Sequence, residues 1–200
     1  MRLPNYLLIF YLIVFGVCGI SPYDRGVWVA ENIPIILLVG VLIVISKYHT
    51  YSKMSCWLML FLPVLHTIGG HFTFERVPFN LVTEFFEFER NHYDRIAHFS
   101  VGFYAYPIAE YVKERSLILS KPLAGLFAIT CIFTVASLYE IFEWWYALSA
   151  SAEAGLAVLG SQGDIWDAQK DMLADGSGAV FVIIIYFIQS NRKNSQRQST

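Results

Sequence analysis

The chain has 200 residues, 56% of them hydrophobic and only 15% charged, with a formal net charge of -2. A soluble domain carries about 25% charged residues, so an ordinary soluble surface is excluded and a bilayer is the natural solvent. The near-neutral balance offers no basic footprint, and no nucleic-acid partner is expected.

A helix needs about 20 mostly apolar residues to span a membrane. The first candidate covers 3–20; its apolar run is longer than the roughly 7–15 residues of a signal-peptide core and reads as a first transmembrane helix. The others are 27–45, 55–69, 94–112, 123–145 and 170–188. The fold class is therefore all-α, a polytopic membrane protein with about six transmembrane helices in one domain over 1–190. Pro63 is expected to kink the third span. Residues 191–200 are polar and read as a disordered cytoplasmic tail. Cys18, Cys56 and Cys131 all fall in apolar stretches, without CxxC or finger spacing, and read as small buried side chains.

Orientation follows from Lys and Arg in the connections. With the N-terminus inside, Arg2, Lys47, Lys53, Lys113, Arg115, Lys121, Arg192, Lys193 and Arg197 lie on the inner side. Arg25, Arg76, Arg90, Arg95 and Lys170 lie outside. Nine against five puts both termini in the cytoplasm. Both long connections are then external. One contains 77–88, rich in Phe and Glu, which suits a helix lying in the interface. No internal repeat supports an inverted-repeat transporter.

Three groups of polar residues meet the same external face. Asp94 and His98 are four apart at the start of the fourth span, on one helical face, with Arg95 and His92 beside them. Asp94 suits a ring N–H of His98, which would leave the other ring nitrogen for a proton or a metal. Glu140 and Glu143 sit near the outer end of the fifth span, where carboxylates are normally paired, metal-bound or wet; Trp144 and Trp145 read as interface anchors. Asp164, Asp167, Asp171 and Asp175 follow spacings of three, four and four, one acidic stripe on a helix. Such a stripe needs a neutraliser: a divalent cation, a raised pKa, or Arg90, Arg95 and Lys170. Gly176 and Gly178 allow close helix packing beside it. His66 and His71 read as satisfied polar residues, His49 as uninvolved, and nothing ties Glu31 to the cluster.

Residues His98, Asp94, Arg95, Glu140, Glu143, Asp167 and Asp171 are thus the catalytic candidates, and His92, His98, Glu143, Asp164, Asp167 and Asp171 the candidate metal ligands. Mixed imidazole and carboxylate donors suit zinc, manganese or iron, while carboxylates alone suit magnesium or calcium. No cofactor is specified beyond a possible divalent metal.

The runs Arg90-Asn91-His92-Tyr93-Asp94-Arg95 and His98-Phe99, then Tyr139-Glu140 with Glu143-Trp144-Trp145, then Gln162-Gly163-Asp164 with Trp166-Asp167 and Asp171-Met172, resemble the YjdF-type family of bacterial inner-membrane proteins. The resemblance covers about Gly69 to Ile184. It implies a multi-pass protein of the bacterial inner (plasma) membrane and carries no known activity. More distantly, Asp94, His98-Phe99, Tyr139-Glu140 and Asp171 with Gly176 and Gly178 are similar to VanZ-like membrane proteins, associated with glycopeptide-antibiotic resistance; the long insertion between Trp145 and Asp167 departs from that pattern.

Three functions compete. An outward-facing site acting on a membrane lipid or envelope precursor would use His98 or His92 as base or ligand, with Asp167, Asp171 and a glutamate holding a metal or serving as acid and base. Arg95 would suit a phosphate. A small transporter or ion-binding protein needs midplane polar residues, and Ile129–Val135 and Val180–Ile185 are apolar; a pathway between copies in a homo-oligomer stays open. A structural or partner-binding protein would use the cluster only to lock helices.

Overall fold

A computed structural model describes residues 4–159 and 161–198. Among these, every regular element is helical: α1 (Asn5–Cys18), α2 (Arg25–Ile45), α3 (Lys53–Phe72), a short α4 (Asn80–Phe85), α5 (Tyr93–Val101), a 3-10 turn (Gly102–Tyr104), α6 (Ala105–Glu114), α7 (Lys121–Ser149), α8 (Ala152–Leu159) and α9 (Asp167–Gln198). Four of them, α2, α3, α7 and α9, are long and apolar enough to cross a membrane, and α1 is a shorter apolar helix. Large apolar side chains such as Ile13, Leu37, Leu126 and Phe181 point outward and stay exposed. In water such a surface would be an aggregation liability; in lipid it is the solvated face. The chain is an all-helical membrane protein.

Helix starts follow local chemistry. Asp24 accepts from the Val27 N–H at 2.8 Å, Ser52 from Ser55 at 3.1 Å and Ser120 from Leu123 at 3.4 Å. Each satisfies an N–H that the first turn leaves orphaned. Pro122, in the first turn of α7, has no N–H to lose.

The fourth expected span, 94–112, is not one helix. It is divided into α5, the 3-10 turn and α6. Pro107 has no N–H for the Phe103 carbonyl, so the regular ladder cannot run through this point, and a tighter turn takes up the break. The last span also differs from expectation. Its backbone stays helical to Gln198, past the apolar boundary at 188 and through most of the stretch expected to be a disordered tail. Adding a residue to a formed helix is far easier than nucleating one, and Gln, Lys and Arg are good helix formers. Residues 199 and 200 lie outside the described residues.

The helix α9 packs against α5, the 3-10 turn, α6 and α7, and α3 packs against α1, α2 and α5. The chain alternates direction through α1, α2, α3, α5–α6, α7 and α9. At one end His71 Nδ1 meets the Cys18 carbonyl at 2.7 Å, joining the C-termini of α1 and α3. At the other, Glu110 accepts from the Ser55 hydroxyl at 2.6 Å and from the Ser52 N–H at 3.3 Å, while Tyr106 donates to Gln189 at 2.8 Å. The connections 46–52, which carries Lys47, and 115–120, which carries Arg115 between Lys113 and Lys121, are at this second end.

The decisive contact is between α5 and α9. A Cβ on Gly178 would overlap the Phe99 carbonyl oxygen, and one on Gly102 would overlap the α9 backbone at Asp175, Gly178 and Ala179. The two backbones touch, as small residues allow in membrane helix pairs. Gly178→Ala is expected to force these helices apart and lower the thermal midpoint in detergent, followed by fluorescence-detected size exclusion. Gly40→Ala, where a Cβ meets nothing within 4 Å, serves as the silent control; equal midpoints for the two variants would refute the contact.

Candidate functional site

The functional candidates gather where α5 meets α9, at the end opposite the connections 46–52 and 115–120. Asp94, Arg95 and His98 come from the first turns of α5. Asp167, Asp171 and Asp175 recur every four residues along α9 and form one face. The backbone contact at Gly102 and Gly178 lies about a turn deeper, so side chains at this level interdigitate.

The outer half of the cluster is an ion-pair lock. Arg95 donates through Nη1 to Asp171 and through Nη2 to Asp167. Arg90 donates to Asp167 at 2.7 Å and to the Ser161 carbonyl at 3.0 Å. Asp164 lies 3.6 Å from Arg90 and 3.8 Å from Arg95, and takes a hydrogen bond from Lys170 at 2.6 Å. That bond from Lys170 holds the Asp164 carboxyl below its ordinary pKa. The guanidinium of Arg95 is thus held by two carboxylates. Isolated buried carboxylates at this spacing would repel; fork-like guanidinium pairing neutralises them.

Loop geometry sets the lock. Asn91 and Gln162 pair reciprocally, with Asn91 N–H donating to Gln162 Oε1 at 3.1 Å and Gln162 Nε2 donating to the Asn91 carbonyl at 3.0 Å. The side chain of Asn91 also donates to the carbonyls of Glu75 and Val77, at 3.0 and 2.8 Å. Three connections are tied through Asn91, by its side chain and its backbone together. Gly163 follows with φ +87°, a conformation that favours glycine.

The inner half is different. His98 Nδ1 lies 3.2 Å from Asp175 Oδ1, and its Nε2 lies 3.7 Å from Asp94 and 3.6 Å from Asp171. Asp175, not Asp94, is therefore the carboxylate that orients the ring, and Nε2 faces two further carboxylates. Ligand atoms of Asp94, His98 and Asp171 all lie within 4.8 Å of one another, and all three residues are buried. A carboxylate behind one ring nitrogen with the other turned to oxygen donors is the arrangement of a histidine ligand supported from its second shell of contacts.

A second polar group lies across α7. His66 Nε2 is 3.0 Å from Glu31 Oε2, and the Tyr139 hydroxyl donates to the same oxygen at 3.2 Å. Glu31 Oε1 is buried without a hydrogen-bond partner, as is Glu140 Oε1. The Tyr139 ring stands between the two histidines, with centroids 6.1 Å from His66 and 6.5 Å from His98. His66, His98, Tyr139 and Asp175 form the polar end of a cavity of about 160 Å³ whose remaining wall is apolar.

The structure therefore brings together Asp94, His98 and Asp171, and separately Arg95, Asp164, Asp167 and Asp171. It does not bring His92 or Glu143 into the converging trio. His92 precedes α5 and packs on Phe88, ring centroids 4.4 Å apart; burial and the cations Arg90, Arg95 and Lys170 push its pKa down. Glu143 is buried on α7. Glu140 precedes it on the same helix, with its Oε1 buried and without a hydrogen-bond partner. Trp144 and Trp145 are exposed, in keeping with the interface. Asp175 and the Glu31–His66 pair were not among the sequence candidates; the four-residue stripe pointed to Asp175, while nothing local links Glu31 to a histidine 35 positions away.

A family model described as "Predicted membrane protein (DUF2238)" matches residues 3–192. The chain belongs to this family. It is also similar to the inner membrane protein YjdF of Escherichia coli (strain K12), with 30% identity over 168 residues, 83% of this chain and 80% of the relative. The location follows: a multi-pass protein of the bacterial inner membrane. No solved structure matches the chain.

Removing the guanidinium of Arg95 would leave Asp167 and Asp171 buried and short of a partner, a loss of about 3–5 kcal/mol by the behaviour of buried pairs. Arg95→Leu is expected to destabilise the protein strongly in a detergent unfolding series. Lys170→Leu removes a half-exposed partner and should change stability by about 1 kcal/mol or less. Similar midpoints for both variants would argue against the lock.

Proposed function

We propose that the outer-face cluster of this inner-membrane protein binds a divalent cation on Asp94, His98 and Asp171 and uses it on the polar headgroup of an envelope lipid or lipid-linked precursor. The observation that carries this reading is the convergence of those three buried ligand atoms within 4.8 Å, with Asp175 holding the far side of the imidazole. One His and two carboxylates fit zinc, manganese or iron. A bound cation would polarise a headgroup oxygen or activate water; Asp175 would keep Nε2 of His98 available as ligand. Placing this end outside the cytoplasm rests on the basic residues Lys47, Lys113, Arg115 and Lys121 at the opposite end.

A second reading, a purely structural cluster, is favoured for one part of it. Arg90, Arg95, Asp164 and Asp167 are satisfied by each other. We assign these four to holding the loops and the top of α5 and α9 together, and reserve chemistry for the trio beneath.

Elemental analysis of the purified, detergent-solubilised protein tests the assignment. About one transition-metal ion per chain is expected for an intact site, with the metal lost in Asp171→Asn and in His98→Ala and retained in Asp164→Asn. Metal-free protein after expression and reconstitution with zinc, manganese or iron, folded as judged by size exclusion, would refute it.

A further inference from the structure

The cavity beside His98 has a direction. Its polar end is made by His66, His98, Tyr139 and Asp175, on the side of the Asp/His cluster. Its deeper wall is hydrocarbon, from Leu38 on α2, Leu62 on α3, Val101 on α5 and Val135 on α7. Helices α2 and α7 both wall it, yet they make no extended packing contact with each other. Instead α8 packs on both of them at the external end and bridges the gap. At the mouth, Val135 is 55% exposed, and Pro34 and Leu38 are half-buried. Pro34 has no N–H for the α2 ladder at this level, where proline favours a bend.

A gap between two spanning helices, roofed at the headgroup level and apolar below, opens sideways into lipid rather than upward into water. Its volume of about 160 Å³ is close to the ~150 Å³ of an apolar cavity that accepts benzene. It therefore holds a section of a chain, with the rest left in the bilayer. The polar end is unusual for an apolar slot. Both histidines are backed by carboxylates, His66 by Glu31 and His98 by Asp175, and the buried oxygen Glu31 Oε1 has no partner. Such groups are expensive at membrane depth and are kept where they meet a ligand or a wet cavity.

Resting on the lipid-acting reading above, we propose that this cavity is a lateral slot for one hydrocarbon chain of a membrane lipid, admitted between α2 and α7, whose polar end is received between His66 and His98. The chain lies along Leu38, Leu62, Val101 and Val135. The Glu31-backed imidazole and the Tyr139 hydroxyl supply hydrogen bonds on one side of the polar end, and the His98 group faces it from the other.

The test uses the full chain in nanodiscs of phosphatidylethanolamine and phosphatidylglycerol, doped with phosphatidylethanolamine carrying a diazirine at the end of one acyl chain. After illumination, adducts are mapped by peptide mass spectrometry. Adducts at Leu62 or Val101, inside the slot, are expected, and their loss is expected in Val135→Trp, which blocks the mouth from an exposed position. Ala136→Phe, which fills the interior, should act likewise; Val135→Trp keeps the test valid if that variant misfolds. Adducts confined to outward positions such as Ile36 and Phe127, or slot adducts that survive Val135→Trp, would overturn the proposal. Metal content measured on the same samples separates the two readings. Slot adducts that persist in metal-free His98→Ala support the slot on its own, and an intact metal site without slot adducts removes the slot and leaves the cation site standing.

Discussion

Everything in the Asp/His cluster depends on how closely α5 can approach α9. Two glycines, Gly102 and Gly178, let backbone touch backbone. With the backbones in contact, the short side chain of Asp175 reaches the His98 ring at 3.2 Å, and Asp171 comes within 3.6 Å of its other nitrogen. The polar site is a consequence of an apolar packing device: small residues deeper in the pair determine what the acidic residues above can touch.

The same approach creates an electrostatic problem that the sequence solves locally. Three aspartates on one face of α9, with Asp164 just ahead of them in the connection, face another on α5, in a setting where unpaired charge is costly. Arg90 and Arg95 neutralise the outer members. The inner members share a single histidine and one arm of Arg95. That asymmetry divides the cluster into a lock and a site. The upper groups satisfy each other and have little left to offer a ligand. The lower groups retain acceptor capacity, and they adjoin the cavity. Arg95 belongs to both halves, since it also holds Asp171 in place beside His98.

The Tyr139 ring links this site to the Glu31–His66 pair, so the pocket is served from α2, α3, α5, α7 and α9 together. Five helices that share a cavity are an arrangement in which few substitutions are isolated. Asn91 has a similar reach among the loops, tying the connections at 75–77 and 162 to the start of α5. Its residue type is decided by capacity: two side-chain donors reach two carbonyls while its own backbone serves Gln162.

Much was legible in the sequence. Hydropathy alone specifies a helical membrane protein, because a spanning backbone must satisfy its hydrogen bonds internally. Asp94 and His98 on one face, and the aspartate stripe at four-residue intervals, follow from helical periodicity, and the exposure of Trp144 and Trp145 agrees with their reading as interface anchors. The family resemblance rested on runs that the fold brings together, Arg90-Asn91 with Gln162-Gly163-Asp164. What the sequence could not supply was partnership across helices. Asp94 looked like the partner of His98 because it is four residues away; Asp175 takes that place because α9 lies against α5. Glu31 and His66 looked unrelated because their pairing depends on the packing of α2 on α3. The break at Gly102–Tyr104 was hidden by an apolar pattern that runs through it, although Pro107 carried its cause. Local periodicity determines which residues share a face; only tertiary packing decides which faces meet, since that depends on where two backbones can come into contact.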